Sequence, residues 1–180
     1  MRTIPVLSVS PIEEDHLFLE GIFSINPSWT PSADCSWMLH TSLTLERALA
    51  ALREDEIPIV ICERDLLPGT WKDMLARIKL LPTPPLLIVT SRLADEYLWA
   101  EAMNLGAYDV VPKPFDSHEL SRIISFAWLH WSEKYPTQPA ESNDGSRNMM
   151  HAVELEKITQ AIDETASDRR LSVLSRVRWA

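Results

Sequence analysis

Residues 84–116 read PPLLIVTSRLADEYLWAEAMNLGAYDVVPKPFD. Two prolines lead into an apolar run, Leu86 to Val89, which stops at Thr90. A short, wholly apolar run between turn signals is the pattern of a strand buried on both faces. A helix-forming stretch of composition ADEYLWAEAMNLGA follows, with Gly106 placed to end it as a C-cap. A second strand-like run, Tyr108 to Pro112, built on Val110 and Val111, comes next. Strand, helix and strand in this space make one βαβ unit, whose strands must be parallel.

The same alternation runs outward in both directions. Strands are expected at 4–9, 36–40, 57–62, 84–90 and 108–112. Between them lie helical stretches with one apolar face each: Phe18, Leu19, Ile22 and Phe23; Leu45, Ala48, Leu49 and Leu52; then WKDMLARIKLL. After the last strand, Leu120, Ile124, Ala127, Trp128 and Trp131 share the inward side of a final helix. Five βα units in series predict a flavodoxin-like, doubly wound parallel sheet with helices on both faces and a short C-terminal extension. In such sheets the functional crevice lies at the carboxyl ends of the strands. Ser10, Glu63, Thr90 and Lys113 each stand at a strand end there, so residues far apart in sequence converge.

The chain has 180 residues, of which 46% are apolar and 24% charged, the balance of a globular protein. No apolar run approaches the ~20 residues that span a bilayer. The N-terminus lacks the h-region and cleavage site of a signal peptide, so a cytoplasmic location is expected. Net charge is −9, and residues 1–135 hold 19 acids against 11 bases. That field opposes nucleic-acid binding by the main domain. Glycine-rich phosphate loops are absent from the sequence, and the two cysteines and five histidines show no ligand spacing. Cys62 is expected as a small core residue and Cys35 in a loop. The histidines read as surface or packing residues. No metal site is expected.

Three segments are expected: 1–134 as the main domain, 135–150 as a polar linker, and 151–180 as a helical or mixed extension. In the extension, acids come early and Arg169, Arg170, Arg176 and Arg178 late. Its apolar residues mark it as a candidate docking or dimerisation element.

Thr90 after strand four, Ala102 before the Gly106–Ala107 pair, and Lys113-Pro114-Phe115 after strand five make residues 3–134 resemble a response-regulator receiver domain. The resemblance implies an acidic pair after strand one and an Asp after strand three that bind Mg²⁺, the Asp accepting a phosphoryl group from a histidine kinase. It also implies a Thr and a Lys that hold the phosphoryl oxygens. Here Ser10 and Pro11 stand where the acidic pair would be, and Glu63 where the Asp would be. A hydroxyl and a proline cannot replace two carboxylates as ligands for a hard cation, so Mg²⁺ is not expected as a cofactor. Ser10-Pro11-Ile12-Glu13 reads instead as a capping box, with Ser10 as N-cap and Glu13 at N3. Glu13, Glu14 and Asp15 read as first-turn acids favoured by the helix dipole, in preference to a displaced metal cluster.

These departures predict a pseudo-receiver that signals through protein–protein contact. Glu63 would pair with Lys113 and lie near Thr90, with the cis-prone Pro114 beside it. The alternative is a receiver still phosphorylated at a non-standard acid such as Asp65. An enzyme on the same fold has no nucleophile elbow, phosphate loop or metal spacing to support it. The family resemblance implies partners such as a histidine kinase or an output protein. It also implies a homodimer through the face of the fourth helix, fifth strand and last helix, with Trp99, Val110, Trp128 and Trp131 as candidate partner-binding residues; the tail's own apolar residues make it a second candidate dimer surface.

Overall fold

A computed structural model describes residues 2–25 and 35–136. The elements run β1 (Arg2–Val9), α1 (Glu13–Ile25), β2 (Cys35–Ser42), α2 (Leu45–Glu54), β3 (Ile59–Glu63), α3 (Trp71–Ile78), β4 (Leu86–Ser91), α4 (Glu96–Leu105), β5 (Asp109–Pro112) and α5 (Ser117–Lys134). All strand pairs are parallel, in the order β2-β1-β3-β4-β5. This is the flavodoxin-like (βα)5 sheet that the alternation of runs predicts.

Two apolar layers sandwich the sheet, because successive strand residues face opposite sides. In β3, Val60 and Cys62 join Leu52, Trp71, Met74, Leu98 and Ala102 beneath α2, α3 and α4. Ile59 and Ile61 face the other way, onto Leu19, Ile22, Leu120, Ile124 and Trp128 from α1 and α5. All five residues of β3 are buried, which explains its apolar spelling from Ile59 to Cys62.

Short polar side chains fix where the helices begin. Asp95 accepts from Leu98 N at 2.8 Å to start α4, and Asp116 accepts from Glu119 N at 2.7 Å to start α5. The Asp73 carboxylate accepts from both the Thr70 amide and its hydroxyl at the head of α3. Gly106 ends α4 at φ 92°, in the left-handed region that a side chain resists.

Several expectations shift. Cys35 opens β2 and is not in a loop. Glu63, expected just past its strand, belongs to it, since ladder pairing continues through Glu63↔Thr90. Helix α1 starts at Glu13, later than a Ser10 N-cap would set it. The Ser10 hydroxyl accepts from Ile12 N at 3.1 Å, and the acid it engages is Asp15, not Glu13.

The aromatic anchors need correction too. Trp128 and Trp131 are 7% and 2% exposed, and Val110 is 8% exposed. The two indoles stack on each other at 5.8 Å, and Trp131 Nε1 donates to Pro84 O at 3.1 Å. They serve the core and cannot present themselves to a partner, because α5 buries that side against the sheet. Trp99, half-exposed at 52%, is the one of the four left on the surface. Tyr135 is the C-cap of α5 and packs against Trp131. The remainder of the expected linker and the extension 151–180 lie outside the described residues.

Candidate functional site

The crevice is assembled from the carboxyl ends of β1, β3, β4 and β5. Glu63 is the last residue of β3, and Arg64 N donates to Thr90 O at 2.8 Å, holding the β3 exit against β4. Lys113 directly follows β5, and its amide donates to Ser91 O at 2.9 Å. Its backbone is therefore fixed by the ladder, and its side chain reaches back into the crevice.

There the Lys113 ammonium donates to Glu63 Oε2 and to Asp15 Oδ2. The three side chains are 6%, 9% and 12% exposed. Asp15 Oδ2 also accepts from the Ser10 hydroxyl at 2.5 Å, and Glu63 Oε1 accepts from Asp65 N at 3.5 Å. The cluster is thus one cation bracketed by two carboxylates, with formal charge −1. Charges this secluded persist because they are paired and hydrogen-bonded.

The trio acts on its neighbourhood. The Cys62 thiol is pushed far above its ordinary range by burial, further by the Glu63 carboxylate, with Lys113 opposing. It stays protonated and donates to Glu63 O at 3.3 Å. Next to Asp15, His16 is buried between two backbone elements. Its Nε2 donates to Ser10 O at 3.0 Å, and its Nδ1 meets the Ser8 hydroxyl at 2.9 Å. That imidazole pins the start of α1 to the end of β1, and so aims Asp15 at Lys113.

The remaining sequence-selected residues separate. Thr90 is buried beside Glu63, but no hydrogen bond joins their side chains. Pro114 follows Lys113 through a cis peptide and is exposed. Pro11 is exposed. Asp65 turns to Arg64, whose Nε meets its carboxylate at 3.2 Å, and its side chain is 65% exposed. It stands outside the buried trio. Among the described residues, no three His, Cys, Asp or Glu side chains cluster as a metal site.

Sequence reasoning missed Asp15 and His16. The signal was present: Asp15, His16, Leu19, Ile22 and Phe23 form one stripe at helical spacing, and its apolar members already marked the buried side.

No family model matches the chain. It is 29% identical over 130 residues to the DNA-binding transcriptional regulator NtrC of Proteus hauseri. That match covers 63% of this chain and 27% of the relative, so the chain spans about a quarter of the curated protein it matches. Among solved structures, the signal receiver domain of an HD domain-containing protein from Pseudomonas fluorescens Pf-5 superposes with TM-score 0.63 at 27% identity, over 76% of this chain and 96% of that one. A response regulator receiver domain protein from Clostridium thermocellum gives TM-score 0.61 at 18% identity, over 73% and 98%. The chemotaxis response regulator CheY4 of Vibrio cholerae gives 0.56 at 13%, over 69% and 98%, a likeness of fold. With the sheet order, the Lys113-Pro114-Phe115 exit from β5 and these likenesses together, the described part of the chain has the fold of response-regulator receiver domains and is similar to them.

Proposed function

We propose that this receiver is a pseudo-receiver, a cytoplasmic signalling module that works by binding other proteins and does not cycle through phosphorylation. The observation that carries this reading is the Lys113 ammonium held between Glu63 and Asp15. A receiver active in phosphotransfer keeps its lysine for incoming phosphoryl oxygens and its carboxylates for a divalent cation. Here the ammonium takes the place between the carboxylates. The residues present do not fit Mg²⁺: Ser10 and Pro11 supply no carboxylate, and both acids that reach the crevice are engaged by Lys113.

Glu63 is then a standing, partial stand-in for a phosphorylated acceptor. It offers one charge and two acceptor oxygens, against roughly two charges and three oxygens for a phosphoryl group. Its pairing with Lys113 holds the crevice in one arrangement without a kinase. The acidic domain and its exposed Trp99 support a protein partner over nucleic acid, and a large exposed aromatic is a suitable anchor.

The test is incubation with acetyl phosphate and Mg²⁺, followed by intact-mass analysis before and after hydroxylamine. The expected result is an unmodified chain. A single hydroxylamine-labile phosphoryl group that disappears in Glu63→Gln or Asp65→Asn would overturn the proposal and identify the acceptor.

A further inference from the structure

A groove runs between the head of α3 and the first turns of α4. Its volume is about 530 Å³, within the range of binding sites, and its lining shares no residue with the Glu63–Lys113–Asp15 cluster. Trp71 and Leu98, both buried, form its floor. Tyr97 stands on the α4 wall and is 87% exposed, more than any other large apolar side chain among the described residues.

The two walls differ in charge. With its cap, α4 has three acids, Asp95, Glu96 and Glu101, and no base. The other wall supplies Arg64 and Lys72, and both are already engaged, Arg64 by Asp65 at 3.2 Å and Lys72 by Glu101 at 2.5 Å. The lining therefore has formal charge −1, in a domain of 19 acids against 11 bases. Such a surface draws in a basic partner.

Lys72 shows what the groove accepts. Its ammonium lies 5.8 Å from the centre of the Trp71 ring and against the Glu101 carboxylate, a cation seated between an aromatic face and an acid. Tyr97, one turn before Glu101, offers a second aromatic face on the same side of α4, because residues four apart on a helix are neighbours. Among the described residues, no cation lies over that ring. The Lys72–Glu101 pair is half-exposed on both sides, so it contributes little and yields readily to a competitor.

We propose that this groove receives an arginine-bearing segment of a partner protein, the guanidinium stacking on Tyr97 and donating to Glu101. The proposal rests on the reading of this chain as a protein-binding module, and names where and by what chemistry it binds. Arginine is favoured over lysine because its flat, weakly hydrated guanidinium stacks on a ring and reaches a carboxylate with two donors at once. Trp99, two residues from Tyr97, stands on another side of α4 and does not line the groove.

Fluorescence anisotropy of the full chain with short fluorescein-labelled peptides of Arg, Leu and Gly tests this, beside counterparts with Lys or Gln in place of Arg. The Arg peptide is expected to bind saturably, more weakly as salt rises, and about three- to tenfold tighter than the Lys peptide. The Gln peptide is expected not to bind. Tyr97→Ala and Glu101→Gln should each weaken binding about three- to tenfold with unchanged circular dichroism, and Trp99→Ala should bind as wild type. Amide shifts on binding are expected at Lys72, Tyr97 and Glu101. No saturable binding, equal binding of any two of the peptides, or wild-type binding by Tyr97→Ala would overturn the proposal. So would shifts confined to another surface, or a loss in Trp99→Ala alone. Each of those results leaves the acetyl phosphate outcome as it stands, so the groove and the pseudo-receiver reading fail separately.

Discussion

Replacing Lys113 with methionine keeps most of the aliphatic stem and deletes the charge that two carboxylates share. Lys113, Glu63 and Asp15 are 6%, 9% and 12% exposed at their side chains, so water cannot readily stand in for the ammonium. Asp15 keeps the Ser10 hydroxyl at 2.5 Å, and Glu63 keeps a long bond from Asp65 N at 3.5 Å. Neither neutralises charge. Breaking a buried pair by removing one partner costs about 3–5 kcal/mol. Against a total stability of about 5–15 kcal/mol, that is a large loss. Urea denaturation followed through the fluorescence of buried Trp71, Trp128 and Trp131 measures it. Two double-mutant cycles, Lys113→Met with Glu63→Gln and Lys113→Met with Asp15→Asn, divide the loss between the two acids. Each coupling is expected at about 1–3 kcal/mol, and the triple variant is expected to recover much of the deficit because no unpaired charge remains. Single and double effects that add to within about 0.5 kcal/mol in both cycles would show that the trio is not an energetic unit.

Other outcomes follow from the packing. Tyr108 has its phenol pushed up to about 12 from 10.0, by burial first and then by Asp109. Since the raised value belongs to the folded state, its contribution to stability is complete below pH 10 and lost as pH rises through about 12. Tyr108→Phe should flatten that part of an alkaline stability profile. Trp131→Phe removes the indole donor to Pro84 O and should cost about 1–3 kcal/mol, read as a lower urea midpoint at unchanged m-value. Gly106→Ala forces a Cβ into φ 92° and to within 3.2 Å of Lys79 Nζ. A loss of about 1–2 kcal/mol is expected in thermal or urea unfolding.

The fold was legible because each strand in the sheet's interior is buried on both sides and therefore spelled without interruption. Ile59–Cys62 and Leu86–Val89 needed no context to be recognised. Element ends were less legible. Glu63 is polar, which reads as lying beyond the strand's end, yet ladder pairing with Thr90 keeps it in the sheet. At the site, the Glu63–Lys113 pairing could be inferred because both lie at strand exits, where topology alone brings them together. Asp15 could not be inferred that way. Its role depends on how α1 is rotated against the sheet, which the buried His16 sets through Ser8 and Ser10. The indoles misled for a related reason. Trp128 and Trp131 have the size and chemistry of interface anchors, and only the packing of α5 shows that they are spent inside.

The ammonium of Lys113 has one further effect, on the route by which the chain reaches its folded state. Its bond to Asp15 closes a separation of 98 residues, and its bond to Glu63 one of 50. Contacts of such range raise contact order and slow the search for the native topology. They form only after the first helix and the last strand have both docked, so they belong to the final stage of assembly. Interactions absent from the transition state act mainly on the unfolding rate. Lys113 is therefore a latch on escape: its removal should quicken unfolding far more than it delays folding.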